Sequence, residues 1–437
     1  DPSTNNGIAE DADGERALNF FLKAGWRGFT LQGGVNQRDK HVPTGSFGTT
    51  FDDNGTYTTD GRRFAELSYA TTPVPNLNVS ARAFYDGYRF HGTYIYADDE
   101  GGRIKNEDRA WSDWFGGEVR ARWEAWERNA LTVGAEYTSH PSAHQENFDL
   151  PGHQTYLDDR RSYDTVGVYA QDELEVTSTL SLVTGLRYDR YYGRFQEVSP
   201  RAAAIWNVTP QTTVKLLYGL AFRPPSLYEQ YYVDSVMIAN PDLKLEHIAT
   251  YEAVLEQQLW HGVHGTLALY HYDIDRLIEV VEDAGVGDGD PTQQHRNTDP
   301  VRADGAEIEM RVPLPRRSAL KTSYCLQRAR TSEGRLSNSP THLGNLTLLF
   351  PVAWGIEGGA ELLVVGPRDT RDGHRLETAR ILNLTLDYTS PLPGLSGSIG
   401  LYNIFDHTYP DPTGVDHVQD RIPHDGFTFR VQVRYVF

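Results

Sequence analysis

The sequence predicts an all-β fold, a large antiparallel transmembrane β-barrel. Three features predict it: apolar and polar residues alternate, short and long connections alternate, and the last strand ends on an aromatic residue. The clearest alternation runs from Phe427 to Phe437, where apolar side chains occupy every odd position. About ten residues with a period of two is the length that a tilted strand needs to cross a bilayer.

The same pattern recurs along the chain, at residues 119–125, 213–222, 306–312 and 382–388. In each segment one face is apolar and the other carries charged or polar side chains. A wide membrane barrel turns the apolar face to lipid and the polar face to its lumen. We therefore expect Leu216 and Val431 to face lipid, and Lys215, Glu307 and Arg430 to face the lumen.

The composition agrees with a membrane barrel and excludes several other classes. No run of 18 apolar residues occurs, so the sequence predicts no transmembrane helix. The 25 tyrosines and 8 tryptophans fit the aromatic girdles of barrels. A net charge of -19 argues against nucleic acid as a partner, because phosphate binding needs clustered lysine and arginine. The single cysteine, Cys325, excludes an internal disulfide.

Short turns alternate with longer polar connections, which is the rhythm of periplasmic turns and extracellular loops in outer-membrane barrels. The longer connections are predicted at residues 38–60, 90–110, 140–162, 193–199, 223–245, 276–301, 331–340, 367–376 and 407–425. They separate about nineteen strands, whereas bacterial single-chain barrels have even strand numbers. In a closed barrel of nineteen strands the first and last strands would run parallel. We therefore expect a gap or a strained seam between residues 17–23 and 427–437.

Three motifs give the chain a family resemblance. The segment that begins at Tyr218 reads YGLAFRPPSLYEQYY, residues 240–244 read NPDLK, and residues 402–406 read YNIFD before the last loop and the aromatic closing strand. This set resembles the TonB-dependent outer-membrane receptors, and the resemblance covers nearly the whole chain. One departure is Leu245, where the family usually has proline.

The resemblance implies energised uptake of a scarce nutrient across the bacterial outer membrane, with a ferric siderophore first and cobalamin or haem behind it. Receptors of this kind are 22-stranded barrels closed by an N-terminal plug, which the TonB complex engages through a short TonB box. We find neither in residues 1–437, so the whole range is assigned to a barrel domain that lacks the plug and the first strands. TonB would then act only through a segment not present here. No cofactor is expected.

The resemblance places the candidate ligand site where the loop after residue 223 begins. Its residues are Arg223, Tyr228, Glu229, Tyr231, Tyr232 and Asn240. In this interpretation the aromatic rings cradle a metal chelate and Arg223 faces an anionic group. The alternative is a structural role, in which Arg223 pairs with a nearby carboxylate and orders the loop.

Other polar groups suggest weaker hypotheses. Residues 224–239 contain no histidine, which argues against haem, and the remaining loop histidines are expected to be solvated: His140, His144, His153, His374, His407, His417 and His424. Acidic clusters at residues 52–55, 98–102 and 282–290 are expected to be solvated loop tips rather than calcium sites, so no metal site is assigned. Arg38, Lys40, Arg160 and Arg161 are candidates for contact with lipopolysaccharide phosphates at the outer-membrane lipid surface.

Two other functions compete with the receptor. A wide barrel without a plug would be a passive channel with an aqueous lumen. An outer-membrane enzyme is the third hypothesis, but the sequence contains no serine-hydrolase, metalloprotease or phosphate-loop motif. We therefore predict no catalytic residues.

Overall fold

The computed structural model describes residues 4–98, 100–152, 154–282 and 293–437. One antiparallel sheet of 19 strands contains nearly all of the regular structure. The described helices are short, and none has the length and apolar character needed to span a bilayer.

The 19 strands of the main sheet are labelled β1 to β19 in chain order. They are Glu15–Trp26, Phe29–His41, Tyr57–Val74, Leu77–Ala97, Arg103–Trp126, Asn129–Leu150, Gln154–Glu175, Leu180–Tyr191, Phe195–Thr209, Thr212–Arg223, Glu246–Gln258, His264–Asp275, Val301–Pro313, Ala319–Arg330, His342–Ala353, Ile356–Val365, Ala379–Thr389, Leu395–Tyr402 and Thr428–Tyr435. Each pairs with the next, which gives a simple meander.

The loops contain smaller elements. Short strands are Met237–Ile238, Ile278–Glu282, Gln293–Asn297, Arg368–Asp369, Arg375–Leu376, Pro410–Pro412 and Arg421–Pro423, and the helical segments are α1 (Leu227–Tyr231) and three 3-10 turns at Asn5–Gly7, Ser46–Gly48 and Trp260–Gly262. The opposite end of the sheet has tight turns. In the first of them Gly28 has a φ of 86°, and a Cβ at this position would lie 2.6 Å from the carbonyl oxygen of Ala70. Only glycine fits there without strain.

The two faces of the sheet differ as the alternation predicts. On β5 the exposed apolar side chains Phe115, Val119 and Trp123 share one face. Glu118 lies on the other face and accepts a 2.8 Å hydrogen bond from Arg82 of β4. Further ion pairs on this polar face join Arg122 to Glu173, Arg187 to Asp189 and Lys215 to Glu256. The apolar face is therefore the lipid-facing exterior, and the polar face lines the lumen.

Three predicted loops are wrong, because residues 90–110, 140–162 and 193–199 lie mostly in strands. Strands β4 to β7 are 21, 24, 22 and 22 residues long, more than twice the length needed to cross a bilayer. Their outer halves carry polar residues on both faces, so they lack the alternation that marks a membrane strand. Pro141 also suggests a break, but the β6–β7 register shifts between His140 and Ala143, and this bulge accommodates the proline.

The first and last strands leave an open seam. Among the described residues, β1 is paired only with β2, and β19 only with β18, so no ladder joins β1 to β19. The extracellular loops near the seam nevertheless meet. The Phe47 N–H donates to the Asp416 carbonyl at 2.6 Å, and Gln419 Nε2 donates to the Thr44 carbonyl at 3.1 Å. The sheet therefore curves until its two edges are close. A gap between them remains, as the sequence predicts.

The lipid-facing assignment is tested at neighbouring positions of β10. Leu216 is exposed on the outer face, and Leu217 points into the lumen. We expect Leu216→Arg to lower the free energy of unfolding by about 2–4 kcal/mol, because an arginine near mid-membrane on the lipid face must be desolvated. Denaturant titration in lipid vesicles measures the change. The matched control Leu217→Arg should cost much less, and equal costs would contradict the orientation.

Candidate functional site

The loop after β10 is anchored at its start by Arg223. Two hydrogen bonds of 2.9 and 2.8 Å join the guanidinium to Glu229, and Arg223 Nη2 donates to Glu246 of β11 at 2.8 Å. Glu229 also closes a capping box with Ser226, which begins helix α1. The structure thus places Arg223 and Glu229 in contact with each other. These contacts are those of the structural alternative, while ligand contact by either residue stays a prediction.

Tyr232 ties the end of α1 to the inner wall of β5 and β6. Its side chain is 6% exposed. The phenol donates to Asp108 Oδ2 at 2.9 Å and accepts a 2.8 Å hydrogen bond from Asn147 Nδ2. Asn147 in turn accepts a hydrogen bond from Asn106. Tyr232 therefore holds the helix in place and is not available as an open ligand surface.

Burial changes the titration of this network. Burial raises the pKa of Asp108 to about 6, and the charge of Asp234 adds to the effect, whereas the hydrogen bond from Tyr232 lowers it. The pKa of Tyr232 is raised well above its usual range, mainly by burial and then by the charges of Asp108 and Asp234. The network is more stable with a neutral Asp108 carboxyl than with a charged one.

Tyr228 packs against two other rings, one tilted and one edge-on. Its ring centroid lies 4.5 Å from that of Tyr232 and 5.5 Å from that of His295. Burial lowers the pKa of His295. His295 lies in the next extracellular loop, and sequence reasoning missed it because no local pattern links residue 295 to the motif at residue 223.

Tyr231 faces a cation. The guanidinium carbon of Arg161 lies 3.3 Å from the Tyr231 ring centroid, and Asp159 orients the same guanidinium through hydrogen bonds of 2.7 and 3.0 Å. This geometry is a cation–π interaction. Arg161 was predicted to contact lipopolysaccharide, but it lies on the lumen side of β7. It shares this face with Tyr169, eight residues further along the strand, whose phenol donates to the lumen-facing Glu118 at 2.7 Å.

A cavity of about 260 Å³ opens between α1, strand β7 and the turn that joins β8 to β9. Its lining residues are Arg161, Ser162, Tyr163, Tyr192, Arg194, Leu227, Gln230 and Tyr231. Two guanidinium groups and three phenol rings thus surround one space. Arginine pairs with anionic oxygens and with aromatic faces, so this cavity suits an anionic ligand that has flat or aromatic parts.

The side chain of Asn240 forms hydrogen bonds within the loops. Its Nδ2 donates to the His295 carbonyl at 2.8 Å, and its Oδ1 accepts the Asp242 N–H at 3.2 Å. The same loop is fixed by Arg194, whose Nη1 donates to the Pro241 carbonyl at 2.5 Å. The NPDLK motif therefore supports the wall of the cavity. Of the predicted ligand residues, only Tyr231 is part of its lining.

The lumen below contains a larger cavity of about 970 Å³. Its charged lining residues are Glu118, Arg120, Arg122, Glu173, Arg187 and Arg201. Four arginines and two glutamates lie on this wall, so the lumen is polar. A solute that leaves the mouth cavity would meet a hydrated surface with both signs of charge.

The other polar groups named from sequence are mostly paired. Asp53 forms a 2.9 Å ion pair with Arg103, and Asp98 accepts the Glu100 N–H at 3.0 Å. Arg38 pairs with Glu15, and Lys40 pairs with Asp13. Asp99, His153 and residues 283–290 of the acidic clusters lie outside the described residues.

Comparison with known proteins identifies the family. The sequence matches the family described as TonB dependent receptor-like, beta-barrel over residues 4–404. The chain belongs to this family, and its place is the bacterial outer membrane.

Individual relatives are more distant. An iron-regulated outer membrane virulence protein of Vibrio cholerae serotype O1 is 28% identical over 214 residues, which cover 44% of this chain and 32% of that protein. The chain thus spans about a third of the length of this curated relative.

Solved structures share the fold across almost the whole chain. The ferric citrate transporter FecA aligns with a TM-score of 0.78 and 14% identity over 97% of this chain and 70% of that one. The copper transporter OprC aligns with a TM-score of 0.76 and 15% identity over 97% of this chain and 72% of that one. The siderophore receptor PirA of Acinetobacter baumannii aligns with a TM-score of 0.75 and 16% identity over 100% of this chain and 73% of that one. At these identities the likeness shows the fold alone.

The raised pKa of Asp108 predicts how the loop responds to pH. A carboxyl whose folded-state pKa exceeds its unfolded value loses stability as pH rises from about 4 through about 6. We expect Asp108→Asn to remove this dependence and to stabilise the loop at pH 7 by up to about 3 kcal/mol. Denaturant titration with a probe on α1, at about pH 4.5 and 7.5, measures the stability of the loop and its pH dependence. Asp242→Asn, an exposed change in the same loop, should keep the wild-type profile.

Proposed function

We propose that this barrel takes up a scarce nutrient as a metal chelate, most simply a ferric siderophore. The observation that carries the proposal is the mouth cavity, where Arg161 and Arg194 meet Tyr163, Tyr192 and Tyr231 above a polar lumen. Ferric chelates are compact and commonly anionic, with flat ligand arms. Guanidinium groups and phenol rings are complementary to such a surface.

The relatives support the same chemistry. The Vibrio cholerae protein is described as iron-regulated, and structural neighbours are described as a ferric citrate transporter and as siderophore receptors. OprC is described as a copper transporter, so the fold itself does not determine the metal. Cobalamin and haem rank behind a ferric siderophore. For haem the reason is that no histidine is among the residues that line the mouth cavity.

We also propose that the 437 residues act as the barrel portion of a larger assembly. The open seam supports this, since its two edge strands run in the same direction and an odd number of further strands would close the barrel antiparallel. A plug in the lumen would supply the contact with TonB. Lipopolysaccharide is the proposed partner of the outer wall, where Arg160 lies.

Tyr231 provides the test of ligand binding. We expect Tyr231→Ala to weaken binding of a ferric chelate about tenfold or more, because it removes an aromatic ring from the cavity and the cation–π contact that holds Arg161 in position. Equilibrium binding of a panel of labelled ferric siderophores to the purified protein in detergent measures the affinity. The control Tyr188→Ala changes a tyrosine whose phenol bonds Gln196, outside the cavity.

Two outcomes would contradict the receptor. Equal affinity in wild type and Tyr231→Ala, for every chelate that binds, would remove the cavity from the proposal. Large, non-selective conductance of the native protein in planar bilayers would favour the passive channel instead. Folded barrel must be verified in each variant by heat-modifiable migration on gels.

A further inference from the structure

A second site lies on the outer wall of β6 and β7, apart from the lumen. His144, Glu146 and Asp158 each offer a ligand atom, and these atoms all lie within 4.8 Å of one another. His144 Nε2 is 2.7 Å from Asp158 Oδ1 and 3.6 Å from Glu146 Oε1. Among the described residues this is the one such group of three.

The strand pairing places this group outside the barrel. On β5, Trp111 shares a face with the lipid-exposed Phe115, four residues away, and Trp111 is paired with His144 of β6. Glu146 follows two residues later on the same face and is paired with Asp158 of β7. Four residues span about 13 Å along a strand, so the group lies about 13 Å from the lipid-exposed Phe115, towards the extracellular end of the strand.

The charges around the group are unbalanced. Within the described part of the chain, Glu146 and Asp158 have no lysine or arginine partner, and both approach only His144. The nearest arginines are used elsewhere: Arg160 Nε donates to Ser142 Oγ at 3.2 Å, and Arg109 pairs with Glu107 at 3.3 Å. Two carboxylates thus share one imidazole, which leaves negative charge for a cation to neutralise.

We propose that His144, Glu146 and Asp158 bind a divalent transition-metal ion such as Zn²⁺ on the outer wall. Imidazole and carboxylate are common zinc ligands at 2.0–2.2 Å, which places tetrahedral donor atoms about 3.4 Å apart. The 3.6 Å between His144 Nε2 and Glu146 Oε1 is already close to this distance. Asp158 is 68% exposed and can move the short distance needed. The Trp111 ring, 4.2 Å from the His144 ring, limits the movement of the imidazole.

The bound ion would join β6 to β7 where both strands extend into water. Metal binding would therefore stabilise this extension, and it would compete with protons for the imidazole and the carboxylates. Both effects are separate from uptake through the lumen, so zinc binding at this site does not depend on the proposed receptor function.

Zinc itself is the probe. We expect the full chain in detergent to bind one more equivalent of Zn²⁺ than His144→Ala in competition with a chromogenic chelator, and the affinity of this equivalent to fall when pH drops from about 7.5 to 5.5. The isosteric variants Glu146→Gln and Asp158→Asn should each weaken it about tenfold or more. They keep the shape of the wall, so loss of folding cannot explain a loss of zinc.

His271 gives the matched control. It also contacts two aspartates, but through opposite nitrogens: Nδ1 is 2.7 Å from Asp304 and Nε2 is 3.2 Å from Asp273. One ion cannot contact both carboxylates and a single nitrogen there, so His271→Ala should bind as much zinc as wild type. Equal zinc binding by wild type and His144→Ala, or an equal loss in His271→Ala, would overturn the proposal.

Discussion

The pairing of backbone hydrogen bonds in hydrocarbon is the constraint on which the rest of this structure depends. Lipid offers no partner for an exposed N–H or carbonyl, so every spanning strand must have neighbours on both sides. The meander of 19 strands meets this demand everywhere except at its two edges. Alternation follows from the same constraint, because a pleated strand between lipid and water must place apolar and polar side chains on opposite faces.

The mouth uses a different set of interactions, since water is present there. Arg223 joins α1 to β11 through two carboxylates, and Tyr232 joins it to β5 and β6 through a buried network. These two anchors lie at the two ends of a helix of only five residues. A helix so short is not stable alone. The side chains that hold it also set the position of Tyr231, so the cavity wall depends on residues that do not line it.

Period-two alternation made the membrane part predictable, and the ladder pairing of Val214 to Phe222 on β10 agrees with it. The outer halves of β4 to β7 were missed because strands surrounded by water have no apolar face to reveal them. The motif at the mouth was found from its resemblance to the receptor family, but the sequence did not predict the roles of its individual residues. Whether Tyr232 is buried or open depends on Asp108 and Asn147, which are far away in sequence. Arg161 and His295 likewise become part of the site only through contacts across loops.

The unequal strand lengths make the rim of the barrel uneven. At about 3.4 Å per residue and a tilt near 40°, the 24 residues of β5 rise about 60 Å, twice the hydrocarbon thickness. Strands β10 to β19 have 8 to 13 residues and rise only about half as far or less. The mouth is therefore shielded by a high wall on one side and has only loops on the other. A bulky solute would approach from the low side, and an antibody against the high wall could bind without covering the entrance.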